Sequence, residues 1–263
     1  MTSDYINAVR DYYDRTNPLI LEHVGRTYQV GLVTTGTDPA DADAYRAHNL
    51  YCAARAGVQP GSRVLDAGCG NGGPSAHIAA SLDGVEIHAV TLSSVQARSA
   101  RDYIADEGLS RRVRVYVADF HALPFSDSSF DHVLFLESSG YSDAPQTLFQ
   151  EAFRVLRPGG TLYVKDPFVN EWTSPQEQAA VREFDRVYCF RTKTRSSTAR
   201  AIAAAGFMDV ESRDLTAEIS IERFVSAQFD GPPRLNAFGQ AHQFRERVCR
   251  MPIYFAELKA TKR

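Results

Sequence analysis

The chain has 263 residues, a formal net charge of −3 and a hydrophobic fraction of 44%. This length allows one α/β domain with an elaborated lid or two small domains, and we expect one domain. A net charge so close to zero gives no general attraction to nucleic acid or to an anionic membrane, so the expected partner is a small molecule.

The sequence lacks the features typical of a membrane or secreted protein. Its apolar runs fall short of the roughly 20 residues of a spanning helix, and its first residues lack the basic and apolar regions of a secretory signal. Four scattered cysteines, Cys52, Cys69, Cys189 and Cys249, show no metal-binding spacing and suit reduced thiols. We therefore expect a cytoplasmic protein without a metal ion.

Residues 1–58 are predicted to form a helical N-terminal cap. We expect breaks in the helical pattern at Pro18 and at the loop 34–39. The cap is rich in tyrosines, namely Tyr5, Tyr12, Tyr13 and Tyr28. It could also act as an oligomerisation arm, and nothing in the sequence excludes a homo-oligomer built through it.

Short apolar strands alternate with helix-length segments in the domain predicted over residues 59–263. Strands are predicted at 62–67, 86–91, 112–117, 130–136, 160–166, 208–214 and 252–260, and helices at 73–82, 93–107, 144–156 and 195–205. Alternation of this kind predicts an α/β fold, a Rossmann-like doubly wound sheet of seven mostly parallel strands. Ligands bind such sheets beyond the carboxyl ends of the strands.

The first strand runs into an acid and a glycine-rich turn, Asp66-Ala67-Gly68-Cys69-Gly70-Asn71-Gly72. Glycines at alternate positions let the backbone turn tightly and approach a ligand. A dinucleotide-binding loop normally has no acid two residues before its first glycine. The Asp66 carboxylate suits an ammonium or hydroxyl group, which favours a nucleoside that carries an amino acid.

With this turn the chain resembles the class I S-adenosylmethionine-dependent methyltransferases, whose first motif is an acid followed by alternate glycines. The resemblance implies S-adenosylmethionine as the cofactor, bound by Asp66, Gly68 and Gly70. A segment around Pro158-Gly159-Gly160 also resembles the turn before the fifth strand of this superfamily. We interpret that turn as structural.

The second strand ends in Thr91-Leu92-Ser93, with Gln96 one turn into the next helix. It lacks the acid that holds ribose in dehydrogenases. This segment resembles the sterol, tocopherol, cyclopropane-fatty-acid and geranyl diphosphate methyltransferase group, which implies that Thr91 and Gln96 contact the ribose and the amino-acid end. Alternatively, Ser93 only caps the helix and Gln96 is solvated.

Asp119 and Phe120 follow the third strand. By resemblance, the acid accepts a hydrogen bond from the adenine amine and the ring packs on adenine. The alternatives are a turn residue that bonds its own backbone and an ordinary core aromatic. The resemblance also implies that Tyr13 or Tyr28 of the cap lies against the sulfonium, although these tyrosines would equally suit helix packing.

The fourth strand ends at Glu137, followed by Ser138-Ser139-Gly140-Tyr141. This segment resembles one in the sterol and geranyl diphosphate enzymes, a group that methylates carbon–carbon double bonds. Addition of a methyl cation to an alkene leaves a carbocation, which aromatic faces and carboxylates stabilise and which a base quenches by taking a proton. Glu137 and Tyr141 suit these roles, and a purely structural Glu137 is the alternative.

Asp166, at the end of the fifth strand, is a second candidate base for an O–H, an N–H or a carbocation. It could instead pair with Lys165 or cap the loop before Pro167. We expect methyl transfer to a carbon of an apolar or prenylated natural-product-like acceptor. The rivals are an O- or N-methyltransferase of secondary metabolism that uses Asp166 as base, and a cofactor-binding protein without catalysis.

Two segments outside the alternation, 167–194 and 215–250, are predicted to be substrate lids because they follow strand ends and are rich in aromatic and basic residues. Their aromatic residues could line the pocket or pack in the core: Trp172, Phe184, Tyr188, Phe190 and Phe229. Their basic run could bind a diphosphate, with or without magnesium, or form a solvated face: Arg191, Lys193 and Arg195.

Overall fold

The computed structural model describes residues 3–29, 42–219 and 252–263. The predicted loop 34–39, Phe229, Cys249 and all but five residues of the predicted lid 215–250 lie outside these ranges. No helix in the described ranges is both long enough and apolar enough to cross a membrane.

Eight strands form one sheet in the order β3-β2-β1-β4-β5-β8-β7, with β6 paired to the end of β5. The strands are β1 (Arg63–Ala67), β2 (Glu86–Thr91), β3 (Val113–Val117), β4 (Phe130–Leu136), β5 (Leu156–Val169), β6 (Lys193–Thr194), β7 (Met208–Asp214) and β8 (Ile253–Thr261). Among the described strands, β8 alone runs opposite to the rest, so its pairings with β5 and β7 are antiparallel and the other pairings are parallel. The predicted mostly parallel sheet is confirmed, and β6 is a short addition to it.

Successive residues of a strand point to opposite faces of the sheet, and here both faces carry apolar side chains. Helices therefore cover both faces. In β1, Val64 packs with Ile78 and Ile104 on one face, whereas Leu65 packs with Phe149 and Ile202 on the other. The helices are α1 (Ser3–His23), α2 (Ala42–Ala56), α3 (Gly73–Ser81), α4 (Ser94–Asp106), α5 (Pro145–Val155), α6 (Pro175–Tyr188) and α7 (Arg195–Ala204). The doubly wound arrangement is therefore confirmed.

The predicted break at Pro18 is wrong, because α1 continues through it. Proline removes one backbone hydrogen bond from a helix interior. Burial of Asn17 and Ile20 on either side of the proline holds the helix in place. Tertiary packing thus outweighs the local helix-breaking tendency.

Strand β5 is longer at both ends than predicted. The Pro158–Gly160 segment is a bulge in this strand and not a turn before it, since residues 157–160 oppose the single residue Asp131 of β4. At the other end β8 pairs with β5 as far as Val169, which keeps the chain extended past Pro167. The predicted lid 167–194 therefore begins as sheet and continues as α6 and β6.

Strands β7 and β8 are antiparallel neighbours within the sheet. Asp214 at the end of β7 pairs with Ala256, and Ile253 at the start of β8 pairs with Val169 at the end of β5. The chain therefore leaves β7 and re-enters β8 at the edge where β5 ends. This edge also carries the candidate site.

Candidate cofactor and acceptor site

A cavity of about 740 Å³, measured to its open mouth, lies between the cap and the carboxyl ends of the parallel strands. All of the predicted site residues except Asp119 and Asp166 line it: Tyr13, Tyr28, Asp66, Gly68, Gly70, Thr91, Gln96, Phe120, Glu137 and Tyr141.

The glycine turn forms the floor of the cavity. Its backbone is in the left-handed region at Gly68, Gly70 and Gly72, with φ of 108°, 51° and 82°. A Cβ at Gly68 would overlap the side chain of Ser138. The missing side chain at Gly68 therefore makes room for Ser138. A Cβ at Gly70 would meet only Gln96 Nε2, at 3.8 Å, so the backbone at Gly70 is open to the cavity and leaves a cradle for a ligand, as the expected cofactor requires.

Asp66 is almost fully buried beside this turn. The hydroxyl of Ser75 donates to its Oδ2 over 2.6 Å. Burial raises the pKa of the Asp66 carboxyl to about 6, although the hydrogen bond from Ser75 lowers it. A bound cation would favour the ionised form.

Thr91 and Gln96 are held together at the end of β2. The Thr91 hydroxyl donates to Gln96 Oε1 over 2.9 Å, and both side chains are buried. Ser93 does cap α4, since its Oγ accepts the Gln96 backbone N–H at 3.0 Å. The alternative of a solvated Gln96 is wrong, and contact of this pair with ribose stays a prediction.

Asp119 is not on the cavity wall. Its Oδ1 accepts the backbone N–H of His121 at 2.9 Å and lies 2.6 Å from His121 Nδ1. Burial raises the pKa of the Asp119 carboxyl, but these contacts lower it by more, so the net pKa is below the usual value. This is the hydrogen bonding expected of a turn residue. Phe120 both lines the cavity and belongs to the core.

Glu137 and Tyr141 lie on the wall in a short turn after β4. Glu137 has a φ of 57°, a conformation that side-chain-bearing residues rarely adopt. Lys165 Nζ donates to Glu137 Oε1, and the Glu137 backbone N–H donates to the Lys165 carbonyl over 2.7 Å. Lys165 therefore pairs with Glu137 and not, as one alternative had it, with Asp166.

Tyrosines of the cap surround this end of the cavity. The rings of Tyr13 and Tyr141 meet edge-on with centroids 5.2 Å apart. Burial raises the pKa of Tyr28, a hydrogen bond with Tyr12 lowers it, and the negative charge of Glu137 raises it further. Burial likewise raises the pKa of Tyr13 and Tyr141. The phenols are therefore neutral at physiological pH.

Asp166 is buried behind the same turn, 2% exposed, and does not line the cavity. Its Oδ2 accepts a hydrogen bond from the Ser139 hydroxyl. Lys165 and Asp166 are consecutive strand residues, so their side chains point to opposite faces of the sheet. The prediction that Asp166 faces the reacting groups does not agree with this placement.

The three basic residues of the predicted lid contact different parts of the protein and do not form a single anion-binding site in the described residues. Arg191 lies over the ring of Tyr5 at 4.3 Å, and Arg195 lies over the ring of Tyr254 at 5.9 Å. Lys193 Nζ donates to the carbonyls of Ser142 and Arg191 over 2.9 and 3.1 Å. The described ranges hold no group of three metal-ligating side chains.

The predicted lid aromatics divide between surface and interior. Trp172 is 93% exposed, so it does not line the pocket. Phe190 packs against Gly140 and edge-on to Tyr141, with centroids 4.9 Å apart. Phe190 thus supports the wall from behind.

Sequence reasoning missed three contacts that fasten the cap over the cofactor turn. The Ser93 hydroxyl donates to Asp14 Oδ1 over 2.5 Å, and Asn71 Nδ2 donates to Asn17 Oδ1 over 2.8 Å. Arg26 Nη1 donates to the Ser99 hydroxyl over 2.7 Å. The spacing of Asp14 and Asn17, three apart and so on one helix face, was the available signal. We call these three contacts the cap clasp.

Known proteins resemble the chain over the same region. Residues 65–164 match the family described as a methyltransferase domain. The sterol 24-C-methyltransferase of Schizosaccharomyces pombe is 28% identical over 221 residues, which are 81% of this chain and 56% of that protein. Methyltransferase GfsG of Streptomyces halstedii is 34% identical over 187 residues, covering 70% of this chain and 66% of that protein. The chain thus spans little more than half of the sterol enzyme.

Solved structures share the fold over nearly the whole chain. The [4+2]-cyclase SpnF has a TM-score of 0.81 and 24% identity, covering 97% of this chain and 94% of that one. The geranyl diphosphate C-methyltransferase of Streptomyces coelicolor has a TM-score of 0.80 and 17% identity, covering 100% and 99%. Its structure holds Mg²⁺, geranyl diphosphate and S-adenosyl-L-homocysteine.

The affinity for S-adenosylhomocysteine should depend on pH through Asp66. We expect the ammonium of the ligand to bind the ionised form of Asp66. At pH 5 the Asp66 carboxyl is mostly protonated, because its pKa is about 6, so the ligand has to displace that proton in order to bind. We expect about tenfold weaker binding at pH 5 than above pH 7. Calorimetry from pH 5 to 8 measures this, and Asp66→Asn should remove the slope. An identical slope in Asp66→Asn would contradict the assignment, and exposed Asp106→Asn is the control.

Loss of the cap clasp should speed release of the same ligand. Asp14→Ala removes a hydrogen bond between the cap and Ser93, and a bond to a charged group is worth about 1.5–3 kcal/mol. We therefore expect the dissociation rate of S-adenosylhomocysteine, followed by stopped-flow, to rise about tenfold or more. Asp11→Ala, on the exposed side of α1, should leave it unchanged. Equal rates in both variants would show that the clasp does not retain the ligand.

Proposed function

Because the chain belongs to the class I S-adenosylmethionine-dependent methyltransferases, we propose that it methylates a carbon of an alkene or isoprenoid-like small molecule. The observation that carries this proposal is the meeting of one carboxylate, Glu137, with the tyrosines 13, 28 and 141 on a single cavity wall. Sterol and geranyl diphosphate C-methyltransferases among its relatives and structural neighbours support the choice.

The residues of the cavity divide between holding the cofactor and handling charge. Asp66 and the glycine turn would hold S-adenosylmethionine, with Thr91 and Gln96 beside them. When bound, this cofactor supplies a methyl group on a positively charged sulfur, which keeps the electron pair of the broken C–S bond. The chain itself has to align the acceptor and to exclude water.

The acceptor end suits a reaction that passes through a carbocation. The π electrons of an alkene form the new C–C bond to the methyl group, which leaves a positive charge on the neighbouring carbon. The neutral phenol rings offer their faces to that charge. The Glu137 carboxylate then takes a proton from an adjacent carbon, and the C–H electrons restore a double bond. Lys165 Nζ donates to Oε1 of the same carboxylate and so orients it.

O- or N-methylation with Asp166 as base has less support, because Asp166 is buried away from the cavity. Ligand binding without methyl transfer is a rival of another class. We further propose that the segments 167–194 and 215–250 select the acceptor.

A transfer assay with labelled methyl groups tests the proposal. Polyprenyl alkenes, phenols and amines are offered as separate pools, and the labelled products are identified by mass spectrometry and NMR. We expect the label on carbon in the alkene pool and no transfer by Gly70→Val, whose side chain fills the cradle. Label on oxygen or nitrogen would establish the rival methyltransferase, and binding of S-adenosylhomocysteine with no transfer to any pool would favour a non-catalytic role.

Removing the proposed base should stop turnover but not cofactor binding. Glu137→Gln keeps the shape of the side chain and loses the basic oxygen, so we expect kcat to fall by about a hundredfold or more. The affinity for S-adenosylhomocysteine should change by less than about twofold. Glu86→Gln, at the opposite edge of the sheet, is the matched control. Near-normal turnover in Glu137→Gln would rule out this base.

A further inference from the structure

The turn from Glu137 to Tyr141 carries both residues of the proposed acceptor end. It is fixed by hydrogen bonds along its whole length. The Ser138 hydroxyl donates to the Ala67 carbonyl over 2.5 Å, and the Arg191 backbone N–H donates to the Gly140 carbonyl over 2.8 Å. Between them, the Ser139 hydroxyl donates to Asp166 Oδ2.

Asp166 and Phe190 contact this turn from two sides. The ring of Phe190 covers Gly140 so closely that a Cβ at residue 140 would overlap it. The turn is therefore clamped between Phe190 on one side and the Ser139–Asp166 hydrogen bond on the other. Asp166 itself lies outside the cavity and cannot touch an acceptor there.

The other oxygen of Asp166 points to the same role. Asp166 Oδ1 is buried and has no hydrogen-bond partner. A general base needs a free path between its oxygen and the proton that it takes. Here the oxygen that faces the turn is occupied by Ser139, and the free oxygen is sealed in the protein.

Burial of Asp166 also disfavours an ionised base. Burial raises the pKa of its carboxyl to about 7, the hydrogen bond from Ser139 lowers it, and the charge of Glu137 raises it. Lys193 and Lys165 lower it. At neutral pH a large share of the molecules therefore carries a protonated Asp166.

We propose that Asp166 is a positioning residue, which holds Ser139 and thereby keeps the strained turn that directs Glu137 and Tyr141 into the cavity. This inference rests on the proposed function for its effect on turnover. The turn needs such an anchor because Glu137 adopts a left-handed backbone conformation that side chains disfavour. Without the Ser139 contact the turn is free to relax toward a more common conformation.

Three variants separate a positioning residue from a base. Asp166→Asn keeps an oxygen that can accept from Ser139 but has no basic carboxylate, and we expect kcat within about threefold of the wild type. Asp166→Ala and Ser139→Ala should each lower kcat by about tenfold, and the double variant should lose no more than either. Exposed Asp143→Ala, just beyond the turn, should have no effect.

The opposite pattern would overturn the proposal. If Asp166→Asn loses as much activity as Asp166→Ala, while Ser139→Ala stays near the wild type, Asp166 acts as a base. Affinity for S-adenosylhomocysteine checks that each variant is folded, and Ser139→Ala keeps the test informative if Asp166→Ala does not fold.

A second readout needs no acceptor. Hydrogen–deuterium exchange should be faster in peptides covering 137–143 in Asp166→Ala and Ser139→Ala, and unchanged in Asp166→Asn. Unchanged exchange in all three variants would refute the anchor. If the wild type transfers no methyl group to any pool, the proposed function fails while this exchange result still decides the role of Asp166.

Discussion

The close approach of the backbone at Gly68 to Ser138 is the constraint on which the site depends. There is room at residue 68 for a hydrogen atom only, and the Ser138 hydroxyl bonds the carbonyl of the preceding residue, Ala67. This contact joins the turn after β1 to the turn after β4. The distance between the glycine turn and Glu137 is therefore set by the short Ser138 side chain, which is packed and hydrogen-bonded against the backbone of residues 67 and 68. A fixed distance suits the proposed reaction, because methyl transfer depends on alignment.

The cap contributes to both ends of the cavity. Asp14 and Asn17 reach the cofactor elements, whereas Tyr13, on the same helix, meets Tyr141 at the acceptor end. One helix thus contacts both the region proposed to hold the cofactor and the region proposed to hold the acceptor. Both sets of contacts depend on α1 remaining continuous through Pro18.

Local patterns predicted the sheet and the floor of the site, because strand alternation and glycine spacing are properties of short segments. The predictions failed where residues distant in sequence determine the structure. Tertiary packing keeps α1 helical through Pro18, and pairing with β8 extends β5 through Pro167. The direction of a side chain at a strand end was equally hidden, since a shift of one residue exchanges the faces of Lys165 and Asp166. The Asp14–Ser93 contact spans 79 positions, so the spacing of Asp14 and Asn17 indicates a shared helix face but does not identify the partner.

The way the last two strands join the sheet has a consequence for how such a protein diversifies. The chain leaves β7 and returns through β8 at the edge that bears the cavity, so residues 220–251 are inserted between two neighbouring, paired strands. The paired residues of β7 and β8 and the glycine turn all lie outside that segment, so an exchange of the segment replaces none of them. If this segment selects the acceptor, as proposed above, acceptor preference can evolve or be engineered separately from the residues proposed to hold the methyl donor.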